Sequence, residues 1–267
     1  MRSFSRMFQL LAVVAAFSVP AVVRADDPPA DEAASKRGQA VLEALTEAKD
    51  DYCGATRLGI HMGGKLVGYL HAELKKAGEG YEFKLEARMN VPGAFVAHSV
   101  TTGTLDAGLA LTGMKGESHS KQADQAEDKV FSVEVKDDDY HYTLKVGAGD
   151  AATSPIDCDG DLMSDAFEVL AIRRWVSLPA GEAHRFSSLD GEEGKAQVVD
   201  ITTSAPRKVG DKDVVDVKVV NHTEGKTAVY GCDAKTGAIV EAKFEGAPME
   251  LKPMTADEVK AWQDANK

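Results

Sequence analysis

"YEFKLEARMNV", residues 81–91, decides the fold. Tyr81, Phe83, Leu85, Ala87, Met89 and Val91 alternate with Glu82, Lys84, Glu86, Arg88 and Asn90. A period of two puts the first set on one face of a strand and the second set on the other. One oily and one wet face is the pattern of an antiparallel sheet that covers a core on one side only.

The same pattern recurs on either side of this stretch. "FSVEVK" (131–136) and "YHYTLKV" (140–146) flank Asp137, Asp138 and Asp139, residues suited to a hairpin turn. "VVDVKVV" (214–220) and "GAIVEAKFEG" (237–246) repeat it. Turn signals punctuate the chain at Gly63-Gly64, "AGEG" (77–80), "VPGA" (91–94), "TEGK" (223–226) and "DAKTG" (233–237). With about ten strands in play, a sheet curls or splits. The expected fold is mainly β, with one antiparallel domain over 55–254. Its sheet is curled into a half-barrel or open barrel, with one helix on the concave face and short helices at the termini.

Three helices are expected. "GQAVLEALTEAKDDY" (38–52) carries Val41, Leu42 and Leu45 at helical spacing. The second runs over 162–174, with Asp161 as its N-cap and Arg173-Arg174 late, where positive charge suits the helix dipole. The last, within 255–267, opens with Thr255 and Glu258 in capping-box spacing.

Residues 1–25 read as a signal peptide. Arg2 and Arg6 precede an apolar run, "LLAVVAAFSVPAVV" (10–23), and Val23-Arg24-Ala25 offers a cleavage site. No later run approaches the ~20 apolar residues of a spanning helix. No cysteine at the cleavage site could take a lipid. The expected product is exported, periplasmic or secreted, with no transmembrane segment in the mature chain. A polar leader and short helix fill 26–54. The full chain has a net charge of −12, and the signal peptide carries arginines but no acid, so the mature chain is more acidic still. Nucleic acid and anionic lipid surfaces repel such a chain. Cys53, Cys158 and Cys232 allow at most one internal disulfide and lie too far apart in sequence for a zinc cluster.

One stretch has two readings. "DCDGDLMSDAFE" (157–168) places Asp157, Asp159, Asp161, Asp165 and Glu168 where an EF-hand-like loop offers oxygens to calcium. Leu162 stands where the sharp turn wants glycine. Ser164 stands where an apolar residue normally anchors the loop. The preceding "GAGDAATSPI" (147–156) is no entering helix. The rival reading is a helix start, and a loop and a helix start can coexist. No cofactor is expected, with calcium at this loop as the alternative.

Other motifs are weak. "SHSK" (118–121), "SDA" (164–166) and "KTG" (235–237) follow the order of penicillin-binding-protein motifs, but the first lies in a polar stretch between strands and the last suits a hairpin turn. No nucleophile elbow, zinc-protease helix or P-loop occurs. The histidines are scattered and read as wet-face residues. Asn221-His222-Thr223 is a formal glycosylation sequon, better explained by chance.

"MGGKLVGYLHAEL" (62–74), "YEFKLEARMNV", "DLMSDAFEVLAIRR" (161–174) and "KTGAIVEAKFEG" (235–246), in this order, resemble an exported bacterial family of unknown function. The resemblance rests on Gly64 and Gly68, Asp161 and Ser164, Arg173, and Thr236-Gly237, and covers about residues 56–254. It implies the curved half-barrel of the lipoprotein carriers LolA and LolB, and it brings no catalytic residues. The expected function is therefore a non-enzymatic cell-envelope protein that binds or carries a lipid or other apolar ligand. The alternative is a calcium-stabilised extracellular structural or adhesion module. An open concave face favours a carrier and a filled one a scaffold.

Overall fold

Strands β1 (Gly54–Met62), β2 (Lys65–Ala77), β3 (Gly80–Val91), β4 (Phe95–Leu105), β5 (Leu111–Gln122), β6 (Gln125–Lys136), β7 (Asp139–Val146) and β8 (Ala152–Ile156) follow one another as an antiparallel meander. The computed structural model describes residues 32–47, 53–122, 125–137, 139–158, 162–191 and 193–266. The signal-peptide expectation falls outside them.

A second run joins the first. It comprises β9 (Met163–Ser164), β10 (His184–Asp190), β11 (Lys195–Thr203), β12 (Arg207–Val209), β13 (Lys212–Asn221), β14 (Lys226–Asp233), β15 (Ile239–Phe244) and β16 (Met249–Pro253). β16 pairs with β1, so one 16-stranded sheet runs from β8 through β1 and β16 to β9, with β12 paired to β13 off this path. Among the described residues β9 with β10 is the one parallel strand pair, beside an isolated parallel bridge between Ala180 and Thr203. β8 and β9 are the two edges, and the sheet does not close.

β3 behaves as its alternation demands: Tyr81, Phe83, Leu85, Ala87 and Met89 are buried in the core while Glu82 and Lys84 are exposed. The turns fall at the expected glycines, and Gly63 and Gly64 both take positive φ between β1 and β2. The polar stretch holding "SHSK" is a correction: residues 118–121 lie within β5. Ser118 and Ser120 are buried, so the second half of β5 shows no apolar period, unlike its start at Leu111 and Met114.

Helix boundaries also shift. The first helix, α1 (Glu32–Glu47), begins six residues before the expected 38, and residues 48–52 lie outside the described ones. It packs on β10, where Arg37 Nε donates to the Ala183 carbonyl at 2.7 Å. The second, α2 (Asp165–Trp175), starts later than the expected 162. Met163 and Ser164 are drawn into extended pairing with Ser188 and Leu189, so the helix begins beyond the position that the expected Asp161 cap requires; Asp161 itself lies outside the described residues. The last, α3 (Ala256–Ala265), has the expected capping box of Thr255 and Glu258.

α2 occupies the concave face. It packs against β1, β2, β3, β9 and β10 and buries Val169, Ala171, Ile172 and Trp175 in the main core. Trp175 stacks on Phe186 with ring centroids 5.7 Å apart. α3 lies on the outer face instead, where Trp262 meets Tyr69 edge-on at 5.5 Å in a separate small cluster.

Candidate functional site

The sheet's interior has two ends. The upper end carries the turns after β1, β3, β10 and β13, and the lower end those after β2, β6 and β14. α2 enters beside Ser188 and Leu189 in the upper part. It finishes at the lower end, where Arg173 Nη2 donates to the Ala55 carbonyl at 2.8 Å and also bonds Thr56 Oγ1.

The upper interior is polar. On the β4–β6 wall, Ser99, Ser118, Ser120 and Lys129 are buried on the inner face. Lys129 is 4 % exposed, and its ammonium has one ion pair among the described residues, to Glu127 Oε1 at 3.3 Å. Ser118 is 7 % exposed, and its buried Oγ has no hydrogen-bond partner among the described residues. Burying an ammonium or hydroxyl costs free energy that only partners offset. These two groups therefore need an account.

Register arranges them. Lys129 stands opposite Ser118, Ser118 opposite Ser99, Ser99 opposite Ala87, Ala87 opposite Leu70, and Leu70 opposite Leu58. One inner row thus runs from a cation through two hydroxyls to the apolar seat of α2 on β1–β3.

The facing wall brings its own polar groups. Gln197 Nε2 donates to Asp190 Oδ2 at 3.2 Å, and Asn221 Nδ2 donates to Gln197 Oε1 at 2.6 Å. The Glu193 amide donates to Asp190 Oδ1 at 2.9 Å. Burial, with Asp190 and Glu193 nearby, raises the Glu224 carboxyl above its ordinary range, although Lys226 sits 2.9 Å away. The walls meet at the β10–β11 turn. A Cβ on Gly191 would fall 2.9 Å from Met114 Cε, and one on Gly194 would fall 2.1 Å from the Tyr142 ring. Only glycine lets this turn lie so close to the inner face of β5–β7.

The calcium expectation meets little described structure. Asp157 is exposed. Asp159 and Asp161 lie outside the described residues, as do the side chains of Asp165 and Glu168. The backbone makes Asp165, position 9 of the loop, the first residue of α2. Among the described residues no three His, Cys, Asp or Glu side chains converge on a metal position. Cys53, Cys158 and Cys232 are in no disulfide.

Two surface depressions lie elsewhere. A groove of about 600 Å³ crosses the outer face of β2–β6 between Glu73, Lys75, Lys84, Lys115 and Glu134. Its charges are of both signs, and Lys75 already pairs with Glu73 at 3.0 Å. A pocket of about 370 Å³ lies between Arg173, Arg174, Ser177 and the Lys235–Gly237 turn. There the arginines of the last turn of α2 answer the negative end of the helix dipole, which accounts for them.

Nothing in the sequence marked Lys129, Ser118 and Ser99 as neighbours. The inner faces of β4 and β5 break their apolar residues, Phe95, Ala97, Leu105, Leu111 and Met114, with Ser, Thr and Gly, and only the pairing of β4, β5 and β6 aligns these three residues.

Fold and site together define a β-barrel-like protein with an unclosed sheet and a helix in its interior. A crystal structure of a β-barrel-like protein of the domain of unknown function DUF1849 from Brucella abortus is similar, with a TM-score of 0.51 and 12% sequence identity over 75% of this chain and 95% of that chain. At that identity the likeness shows the fold alone. No family model and no curated protein matches the chain.

Proposed function

We propose that the chain is an exported, non-enzymatic cell-envelope protein that takes a lipid or other apolar ligand into its interior when α2 moves aside. The unequal fastening of α2 carries this reading. Its lower end is held by Arg173 on β1, while its upper end hangs from β9, a two-residue edge strand. Elements with few bonds open first. Leu58, Leu70 and Leu85 lie on the strands beneath α2, so its departure would leave an apolar hollow of the kind that takes ligands. The non-enzymatic part rests on the sequence, in which no catalytic motif with its structural context occurs.

A fixed scaffold is the competing reading, favoured by the filled concave face. Native mass spectrometry of the purified protein and titration with a fluorescent fatty acid separate the two. A co-purified ligand, or saturable uptake with a change in Trp175 emission, is expected of the carrier. Absence of both leaves the scaffold.

A further inference from the structure

We infer that Lys129, Ser118 and Ser99 form an internal subsite for the anionic head of a single-chain amphiphile, a carboxylate or phosphate on an acyl tail. This deepens the carrier reading and rests on it.

An ammonium offers three N–H donors, and among the described residues Lys129 has one ion pair to answer them. The Ser118 hydroxyl directly across the ladder is buried and unpartnered among the described residues, and Ser99 extends the same row. A cation beside hydroxyl donors in a water-poor interior suits an oxyanion, because charge-assisted hydrogen bonds are the strong ones. The carboxylates of the facing wall do not oppose it outright. Asp190 is engaged by Gln197 and by the Glu193 amide, Glu193 by Lys195 at 2.9 Å, and Glu224 by Lys226 at 2.9 Å. Glu127 is the competitor that an incoming anion must displace from Lys129.

The row also says where the tail goes. Beyond Ser99 it continues through Ala87, Leu70 and Leu58, which is where α2 now packs. Head at Lys129 and tail in the seat of α2 is thus one continuous path. The β10–β11 turn, lying on Met114 and Tyr142, closes the same interior from the upper end.

The test compares palmitate, hexadecyl phosphate and methyl palmitate as competitors of a fluorescent acyl probe on the full-length chain. Wild type is expected to bind at least one of the two anions about tenfold more tightly than the neutral ester. Lys129→Met, made together with Glu127→Gln so that no buried carboxylate loses its cation, should abolish that preference and leave the ester within about twofold. Ser118→Ala should weaken the anions severalfold. Glu127→Gln should tighten them by removing the competitor. Which anion is preferred separates a fatty acid from a phosphate head. Equal binding of ester and anions by wild type, or an anion preference that survives in both the Lys129→Met, Glu127→Gln double variant and Ser118→Ala, overturns the subsite while the bound ester upholds the carrier reading. Failure to bind any of the three overturns both.

Discussion

Gly237 lies flush against the carbonyl of Arg173: a Cβ on Gly237 would come within 2.0 Å of that oxygen. The turn after β14 is thereby seated on the last turn of α2. Arg173 continues the linkage to β1 through Ala55 and Thr56. Two positions far apart in sequence thus form the lower fastening of the interior helix.

Gly237→Ala should therefore destabilise the fold. Gly237 has a φ of 67°, a left-handed conformation that costs a residue with a Cβ roughly 1–2 kcal/mol. The backbone clash adds about 1–3 kcal/mol of overpacking. A loss of about 2–4 kcal/mol in urea unfolding is expected. A variant as stable as wild type would show that the turn and the helix are not in contact.

The outer face should impose a pH dependence. Tyr69 donates to Glu86 and accepts from Gln263 Nε2 of α3 at 2.7 Å, tying that helix to the sheet. His98, with help from Tyr69 and Lys84, holds the Glu86 carboxyl near about 2 against the opposing effect of burial. Its folded value lies below its ordinary 4.5, so its contribution is complete above 4.5 and is lost as pH falls from 4.5 towards 2. Burial, reinforced by Glu86, pushes Tyr69 the other way, up to about 12, so its contribution is complete below 10 and fades as pH rises from 10 to 12. Melting temperatures across pH should fall on both flanks. Glu86→Gln should flatten the acid flank, and Tyr69→Phe the alkaline one.

Cys232 should be inert. It is buried, and desolvation, with Asp216 nearby, pushes its thiol up to about 12. Since the thiolate is the nucleophile, iodoacetamide at pH 8 should leave Cys232 unmodified in the native protein and label it in denaturant. Peptide mapping reads the outcome. Native labelling of Cys232 would contradict its burial.

The sequon at Asn221 should stay bare in any host. Asn221 is 1 % exposed, and the Nδ2 that a glycan would need donates to Gln197. Intact mass from a glycosylating expression host should show no addition. Asn221→Ala should lower stability by about 1–3 kcal/mol, because it strips the buried Gln197 of a partner.

The sequence by itself determined the strands whose two faces differ. In 81–91, 131–136 and 214–220 the alternation assigns each side chain to core or water, since a one-residue slip would turn the oily face outward. Local chemistry was equally legible where it is self-contained, as in the Thr255 capping box and the turns at Gly63-Gly64 and Gly237. Tertiary structure alone decided the rest. β4 and β5 interrupt the apolar residues of their inner faces with Ser, Thr and Gly, so their apolar period is broken, and their place comes from pairing with β3 and β6. Pairing with β10 moved the start of α2 to Asp165. The residues that share the inner row with Lys129, Ser118 and Ser99, come from two other strands. Local periodicity reports which way a side chain points, whereas what it meets there depends on the register of strands distant in sequence, and that is settled only when the whole sheet forms.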